Sequence, residues 1–169
     1  MGHGNVASSL SIRDAEPADT ALIYAFVREL ADYEKLIGDV DATPEHIASV
    51  LFTPEPRVFC DIAEWNDEPA GFALWFLNFS SFRGRHGIYL DDLFVRPAFR
   101  GKGIGKALMT RLARRCIEEG WTRFEWAVLD WNAPSIDFYR SIGATVLDQW
   151  KICRLSGPAL KQFAGNGAR

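Results

Sequence analysis

Apolar residues recur along this chain with two periods, and the two periods separate predicted helices from predicted strands. Spacings of three and four residues predict amphipathic helices, whereas alternation and short apolar runs predict strands. Gly38, Gly120 and Gly143 are placed to end helices, and Pro97 is placed to stop a strand. The predicted helices cover residues 17–37, 43–52, 104–119 and 133–142, and the predicted strands cover residues 10–15, 57–65, 70–79, 88–95, 123–129 and 145–155.

The order of these elements, βααβββαβαβ, predicts an α/β fold. A mixed, mostly antiparallel sheet would be flanked by helices. A chain of 169 residues has the length of one domain. We expect that domain to span residues 10–164, with residues 1–9 and 165–169 forming disordered termini.

Composition narrows the class of protein. Hydrophobic residues make up 48% of the chain and aromatic residues 13%, which excludes a disordered tail. The apolar runs are far shorter than the ~20 residues that a membrane-spanning helix needs. Cys60, Cys116 and Cys153 are far apart, and the histidines lack metal-ligand spacing. We therefore expect free thiols, no bound metal and a reducing, cytoplasmic compartment.

The net charge of −3 hides two blocks of opposite sign. Residues 29–45 carry six acids and one base, whereas residues 96–115 carry seven bases and no acid. Two solvated helix faces would explain this pattern, and so would a site that holds an anion beside a cation. The acidic isoelectric point of about 5.6 argues against nucleic acid as the partner.

A glycine-rich turn, Arg100–Lys106, lies between a predicted strand and a predicted helix. Glycines allow close approach of the backbone, and a helix N-terminus attracts anions, so this context favours an anion site. The spacing matches neither the dinucleotide fingerprint G-x-G-x-x-G nor the P-loop G-x-x-x-x-G-K-[ST]. A tight strand-to-helix turn without a ligand is the plain alternative.

The turn contains R-x-x-G-x-G (Arg100, Gly103, Gly105), which resembles the pyrophosphate loop of the GNAT superfamily of N-acetyltransferases. Residues 131–144 read W-N-x-x-S-x-x-F-Y-x-x-x-G-A and resemble that superfamily's last cofactor motif. Arg13, residues 29–34 and residues 89–92 extend the resemblance to the diamine (spermidine/spermine) and thialysine N-acetyltransferases. Asp91 stands where that family usually has Glu, and Asp32 where it has Lys.

The resemblance implies a single-domain GNAT-like fold, acetyl-CoA as cosubstrate and a homodimer. Tyr139 would be the catalytic acid that protonates the leaving thiolate. Arg96 would help to neutralise the phosphates, whereas Arg111 and Arg114 are expected on a solvated helix face. The implied cofactor-binding residues are Leu93, Phe94, Val95, Arg100, Gly101, Lys102, Gly103, Ile104, Gly105, Lys106, Asn132, Ser135 and Tyr139.

The acceptor implied is a primary amine on a small cationic molecule, a polyamine or a thialysine-like compound, which attacks directly in a ternary complex. Glu34, Asp91 and Asp92 are suited to attract such a cation. Adjacent residues of a strand point to opposite faces, so Asp91 and Asp92 line one pocket only if the strand bulges there. A water chain held by these acids is our hypothesis for the proton route. The alternatives are another amine (an amino acid, a peptide N-terminus or an amino-drug) and a non-catalytic coenzyme A-binding module.

Overall fold

A computed structural model describes residues 9–166, and the chain divides into two compact units on either side of the Ala127–Val128 bond. Among the described residues, the first unit holds five strands and three α-helices, and the second holds two α-helices. The strands are β1 Leu10–Asp14, β2 Val58–Trp65, β3 Glu68–Ser80, β4 Arg85–Val95 and β5 Phe124–Trp126. The helices are α1 Thr20–Tyr33, α2 Pro44–Leu51, α3 Ile104–Glu118, α4 Ala133–Ser141 and α5 Gly157–Asn166, with 3₁₀ turns at Pro17–Asp19, Ile37–Asp39 and Pro97–Phe99.

The strands form one sheet in the order β1-β2-β3-β4-β5. Every neighbouring pair is antiparallel except β4 and β5, which are parallel and joined through α3. Asn66 and Asp67 take positive φ angles of 52° and 64°, as a tight hairpin turn between β2 and β3 requires. The predicted α/β class with a mixed, mostly antiparallel sheet is confirmed.

Helices α1 and α2 pack on one face of the sheet. Ile23 and Phe26 of α1 are fully buried against Ile62 of β2 and Phe72 of β3, and the Phe26 and Phe72 rings stack at 5.2 Å. On α3, four residues spaced four apart are buried, as the apolar period predicted: Ile104, Leu108, Leu112 and Cys116. Burial of each large apolar side chain stabilises the fold by about 1.5–3 kcal/mol.

The predicted last strand, residues 145–155, is wrong. None of these residues is in a strand, and Leu147, Trp150 and Ile152 are exposed. Alternation favours a strand only where a neighbouring strand supplies hydrogen bonds, and the described part of the second unit contains no strand. A ten-residue helix that the sequence did not predict, α5, follows.

Two further boundaries differ from the predictions. Helix α1 ends at Tyr33 rather than near residue 37, because Lys35 takes a left-handed φ of 62°. The expected disordered termini lie mostly outside the described residues, but residues 165 and 166 are described and end α5. The domain limits 10–164 stay a prediction. Among the described residues, no helix combines the length and apolarity required to cross a membrane.

Candidate active site

A β-bulge interrupts β4 where its acidic pair lies. Leu74 of β3 pairs with Asp92 and Trp75 pairs with Leu90, so Asp91 is the extra residue of the bulge. The extra residue reverses which face of the sheet each later side chain occupies. Asp92 therefore lies on the face that α1 and α2 cover. The bulge thus meets the condition stated above for Asp91 and Asp92 to line one pocket.

The same bulge decides which backbone groups reach the open edge of β4. Before it, the Ile88 N–H faces β5 and donates to the Arg123 carbonyl at 2.9 Å. After it, β5 no longer pairs with β4, and the Arg96 N–H donates to the Ala70 carbonyl on the β3 side at 2.9 Å. Because antiparallel hydrogen bonding alternates between residues, the N–H and C=O groups of Leu93 and Val95 point away from β3.

Leu93 and Val95 thus present backbone hydrogen-bonding groups at the open edge, where an extended ligand could pair with them. The Val95 carbonyl already accepts a hydrogen bond from Arg100 Nε at 2.9 Å. Phe94 differs from both neighbours, since its backbone faces β3 and its ring is buried in the core. The structure therefore does not bring Phe94 to the edge with the other two.

The glycine-rich turn leads directly into α3. Gly101 and Gly103 take left-handed φ angles of 76° and 78°, and Gly103 is the N-cap, which leaves the helix without a side-chain cap. The first N–H groups of α3, starting at Ile104, have no partner within the helix and attract anions. At Gly105 a Cβ would lie 3.8 Å from the nearest atom, Val95 Cγ2. Neither strain nor crowding within the chain explains that glycine, whereas close approach of a ligand would.

The turn contains three cationic side chains, and each has different neighbours. The Arg100 guanidinium stacks on the Tyr33 ring at 4.7 Å, and the Lys102 ammonium lies 5.3 Å from the Trp65 ring. Lys106 is exposed on the first turn of α3. No local pattern in the sequence marks Tyr33 as a partner of Arg100.

Arg96 was expected to neutralise phosphate, and the structure contradicts this. Its guanidinium bonds both carboxylate oxygens of Glu29, at 2.7 and 2.9 Å, and donates to the Pro69 carbonyl at 3.0 Å. It also lies 4.6 Å from the Phe26 ring. This bidentate ion pair ties α1 to the end of β4, which leaves Arg96 a structural role.

Arg111 was expected on a solvated helix face, and this too is wrong. It bonds Asp61 Oδ1 at 2.7 Å and Asp14 Oδ1 at 2.9 Å. Asp61 is 1% exposed and also accepts a hydrogen bond from Trp75 Nε1 at 2.8 Å. Burial raises the pKa of Asp61, and Arg111 opposes that rise. A buried carboxylate needs such a partner, so Arg111 holds α3 to the sheet.

The three predicted substrate residues form one acidic group. Glu34 follows the last turn of α1, where burial raises its pKa. Burial raises the pKa of Asp92 to about 7, and the charges of Asp91 and Glu34 add to the rise. Asp92 can therefore gain or lose a proton near neutral pH, as a general base must.

The remaining predicted residues lie together in the second unit. Asn132 caps α4 by accepting a hydrogen bond from the Ser135 N–H at 3.4 Å. Ser135 and Tyr139 are four residues apart and share a face of α4. Tyr139 is half-buried, and its ring centroid lies 5.4 Å from that of Phe138. The described residues contain no group of three or more histidines, cysteines or acids placed to hold a metal ion.

Comparison with known proteins identifies the family. The model of the acetyltransferase (GNAT) family matches residues 22–144. The chain belongs to this family and is an acetyltransferase.

Two curated relatives and one solved structure illustrate the similarity. The chain is 34% identical to thialysine N-epsilon-acetyltransferase of Sus scrofa, over 94% of this chain and 99% of the relative. It is 31% identical to the human spermidine/spermine N(1)-acetyltransferase-like protein 1, over 90% of this chain but 23% of that longer protein. An integron cassette protein from the V. cholerae mobile metagenome superposes with a TM-score of 0.76 at 29% identity, covering 92% of this chain and 98% of that one.

Proposed function

We propose that this protein transfers the acetyl group of acetyl-CoA to a primary amine of a small cationic substrate, a polyamine or a thialysine-like compound. The observation that carries the proposal is the bulge at Asp91. One extra residue both turns backbone groups of β4 to an open edge and gathers carboxylates beside it. The first feature suits an extended amide-bearing ligand, and the second suits a cation.

Acetyl-CoA supplies the thioester that is attacked. The outward groups of Leu93 and Val95 would pair with the amides of its pantetheine arm, as an added strand pairs with a sheet edge. The N–H groups of Gly101–Lys106 would bind the pyrophosphate, with Lys102 and Lys106 offsetting its charge. The room beside Gly105 fits this close approach.

The acidic group would bind and deprotonate the acceptor. An aliphatic amine of pKa ~10.4 arrives as an ammonium ion, which Glu34 and Asp91 attract. Asp92, with a pKa of about 7, accepts the proton directly or through water. The neutral nitrogen then attacks the thioester carbonyl in the ternary complex, a C–N bond forms and the C–S bond breaks. Tyr139 would donate its proton to the departing thiolate, whose acid has a pKa of ~8.5, and would regain one from the nitrogen, which releases a second proton as the amide forms.

The names of two relatives support this class of acceptor. One is a thialysine N-epsilon-acetyltransferase, and the other is a spermidine/spermine N(1)-acetyltransferase-like protein. We further propose a homodimer in a cytoplasmic, reducing compartment. The free thiols of Cys60, Cys116 and Cys153 suit such a compartment.

The test measures thiol release from acetyl-CoA with spermidine, spermine, putrescine, thialysine and lysine. We expect turnover of at least one amine, and a fall in kcat of about 100-fold or more in Tyr139→Phe. Tyr24→Phe is the matched control, because Tyr24 lies on α1 and contacts Arg28 at 3.5 Å. No turnover while coenzyme A still binds would refute the proposed acceptor class. An unchanged kcat in Tyr139→Phe would refute the role of the tyrosine.

A further inference from the structure

Two buried polar atoms without a hydrogen bond flank one carboxylate that the proposed mechanism leaves unused. Within the described structure, Asn78 Oδ1 and Arg123 Nε are buried and lack a hydrogen-bond partner. Both side chains face Glu125 on β5. Asn78 Nδ2 donates to Glu125 Oε2 at 2.6 Å, and Arg123 Nε lies 3.4 Å from the same oxygen. Arg123 Nε is thus ion-paired with Glu125, whereas Asn78 Oδ1 is a buried acceptor without a donor. Leaving such an acceptor unsatisfied costs free energy, so this arrangement needs an explanation.

The contact between Asn78 and Glu125 passes over β4 at Gly87. Asn78 pairs with Gly87 across the sheet, and β5 lies on the other side of β4. A Cβ at position 87 would lie 2.7 Å from Asn78 Oδ1 and 2.6 Å from the Arg123 carbonyl. Only glycine therefore leaves room for Asn78 to reach and fix Glu125.

Glu125 lies on the same sheet face as Asp92. It pairs with Tyr89, which pairs with Phe76, two residues along β3 from Leu74, the partner of Asp92. With ~3.4 Å per residue along a strand and ~4.8 Å between strands, the Cα atoms of Asp92 and Glu125 are about 8 Å apart. The Glu125 side chain is 34% exposed, so a ligand can reach it.

The surface between the two carboxylates is aromatic. The rings of Phe76 and Tyr89 stack at 5.1 Å, and both residues are half-buried on that face. Methylene groups pack well on such rings, and a cation is attracted to their faces. Across this face, the Asp92 carboxylate is followed by the two aromatic rings and then by the Glu125 carboxylate.

We propose that Glu125 binds a second cationic group of the acceptor, while the reacting amine lies at Asp91 and Asp92. Asn78 is its positioning residue. A short alkyl diamine matches this surface, with its methylenes over Phe76 and Tyr89. A diamino acid matches it less well, because its carboxylate would be repelled by Glu125. This inference rests on the proposed function and narrows its substrate class.

Three amines of one chain length test it: putrescine, butylamine, which lacks the second cation, and ornithine, which adds a carboxylate. In Glu125→Gln we expect KM for putrescine to rise about fivefold, the size typical of one partly exposed ion pair. The kcat for putrescine and the KM for butylamine should not change. The preference for putrescine over ornithine should narrow.

Glu64→Gln is the matched control, since the Glu64 carboxylate on β2 is likewise paired with an arginine, Arg13. Asn78→Ala is the second variant and keeps the test decisive if Glu125→Gln does not fold. It should raise KM for putrescine alone, whereas a purely structural role would affect all three amines equally.

An equal change in KM for putrescine and butylamine would overturn the role of Glu125 but leave the proposed function standing. So would an unchanged putrescine KM in both variants. If the unmodified protein acetylated spermidine or thialysine but none of the three amines, this inference would fail and the proposed function would stand. If it acetylated no amine of the wider panel either while binding coenzyme A, both would fail.

Discussion

The two halves of β4 differ in their strand partners and in the side chains that they carry. From residue 88 to residue 90 the strand pairs with β3 on one side and β5 on the other, and Ile88 and Leu90 are buried. From Asp92 to Val95 it pairs with β3 alone. The first half serves stability, because its hydrogen bonds and side chains are satisfied within the protein. The second half turns the backbone groups of Leu93 and Val95 outward and carries the acidic pair, and one extra residue separates the two halves.

Proline placed in each half gives the largest contrast. Ile88→Pro removes an N–H that bonds the Arg123 carbonyl and a side chain that is fully buried. We expect it to lower the free energy of unfolding by about 3 kcal/mol or more. Val95→Pro removes an outward N–H, so urea denaturation should change far less while affinity for coenzyme A falls. Similar stability losses in the two variants would contradict the distinction between the halves.

Asp92→Asn measures how much the acidic half of β4 lowers the stability of the fold. The folded-state pKa of Asp92, about 7, lies above the ordinary 3.8, so the folded protein holds this proton more tightly than the unfolded chain does. Its contribution to stability is therefore lost as pH rises from about 4 through 7. Asp92→Asn should be more stable than the parent at pH 8, by at most about 4 kcal/mol, and the gap should close towards pH 4. Thermal melts across that range measure it.

The same variant tests the proton route. If Asp92 accepts the proton of the amine, kcat/KM should rise with pH through about 7, and Asp92→Asn should lose that limb of the profile. Asp32→Asn is a suitable control, because Asp32 is exposed on α1 outside the acidic group. A pH profile unchanged in Asp92→Asn would refute the hypothesis for this residue.

Gly105→Ala is expected to change stability least, and it tests whether a ligand lies close to the glycine-rich turn. The protein itself has room for a methyl group there, with 3.8 Å to Val95 Cγ2. Alanine favours a helix over glycine, so stability should rise by about 0.5–1 kcal/mol. Affinity for coenzyme A should fall, because the methyl group would occupy space needed by the pyrophosphate. Calorimetric titration with coenzyme A checks this, and unaltered affinity would mean that the turn binds no ligand closely.

Local patterns in the sequence predicted much of the fold. The apolar spacing of α3 and the helix-ending glycines Gly120 and Gly143 depend on neighbours within a few residues. The stripe on α3 is buried, and the two glycines take positive φ angles just after α3 and α4. The predicted strand at residues 145–155 failed because a strand depends on a distant partner, which alternation alone cannot guarantee.

The candidate site likewise has features that local sequence predicted and features that depend on distant residues. The glycine turn and the acidic pair were visible as motifs, and the bulge was recognised as the condition for joining Asp91 to Asp92. The partners of Arg96 and Arg111 lie 67 and 50 residues away, so no local pattern showed that these cations were engaged. Glu125 was hidden for the same reason, since Asn78 is 47 residues distant.

The hydrogen bond from Arg100 to the Val95 carbonyl has a consequence for solubility. An unpaired strand edge can recruit a strand of another molecule and start aggregation. Here the exposed stretch is short, a guanidinium lies across its end, and Pro97 offers no N–H to extend it. We therefore expect a charge-reversing or neutral residue at position 100 to uncover this edge and to increase non-specific self-association when no ligand is bound.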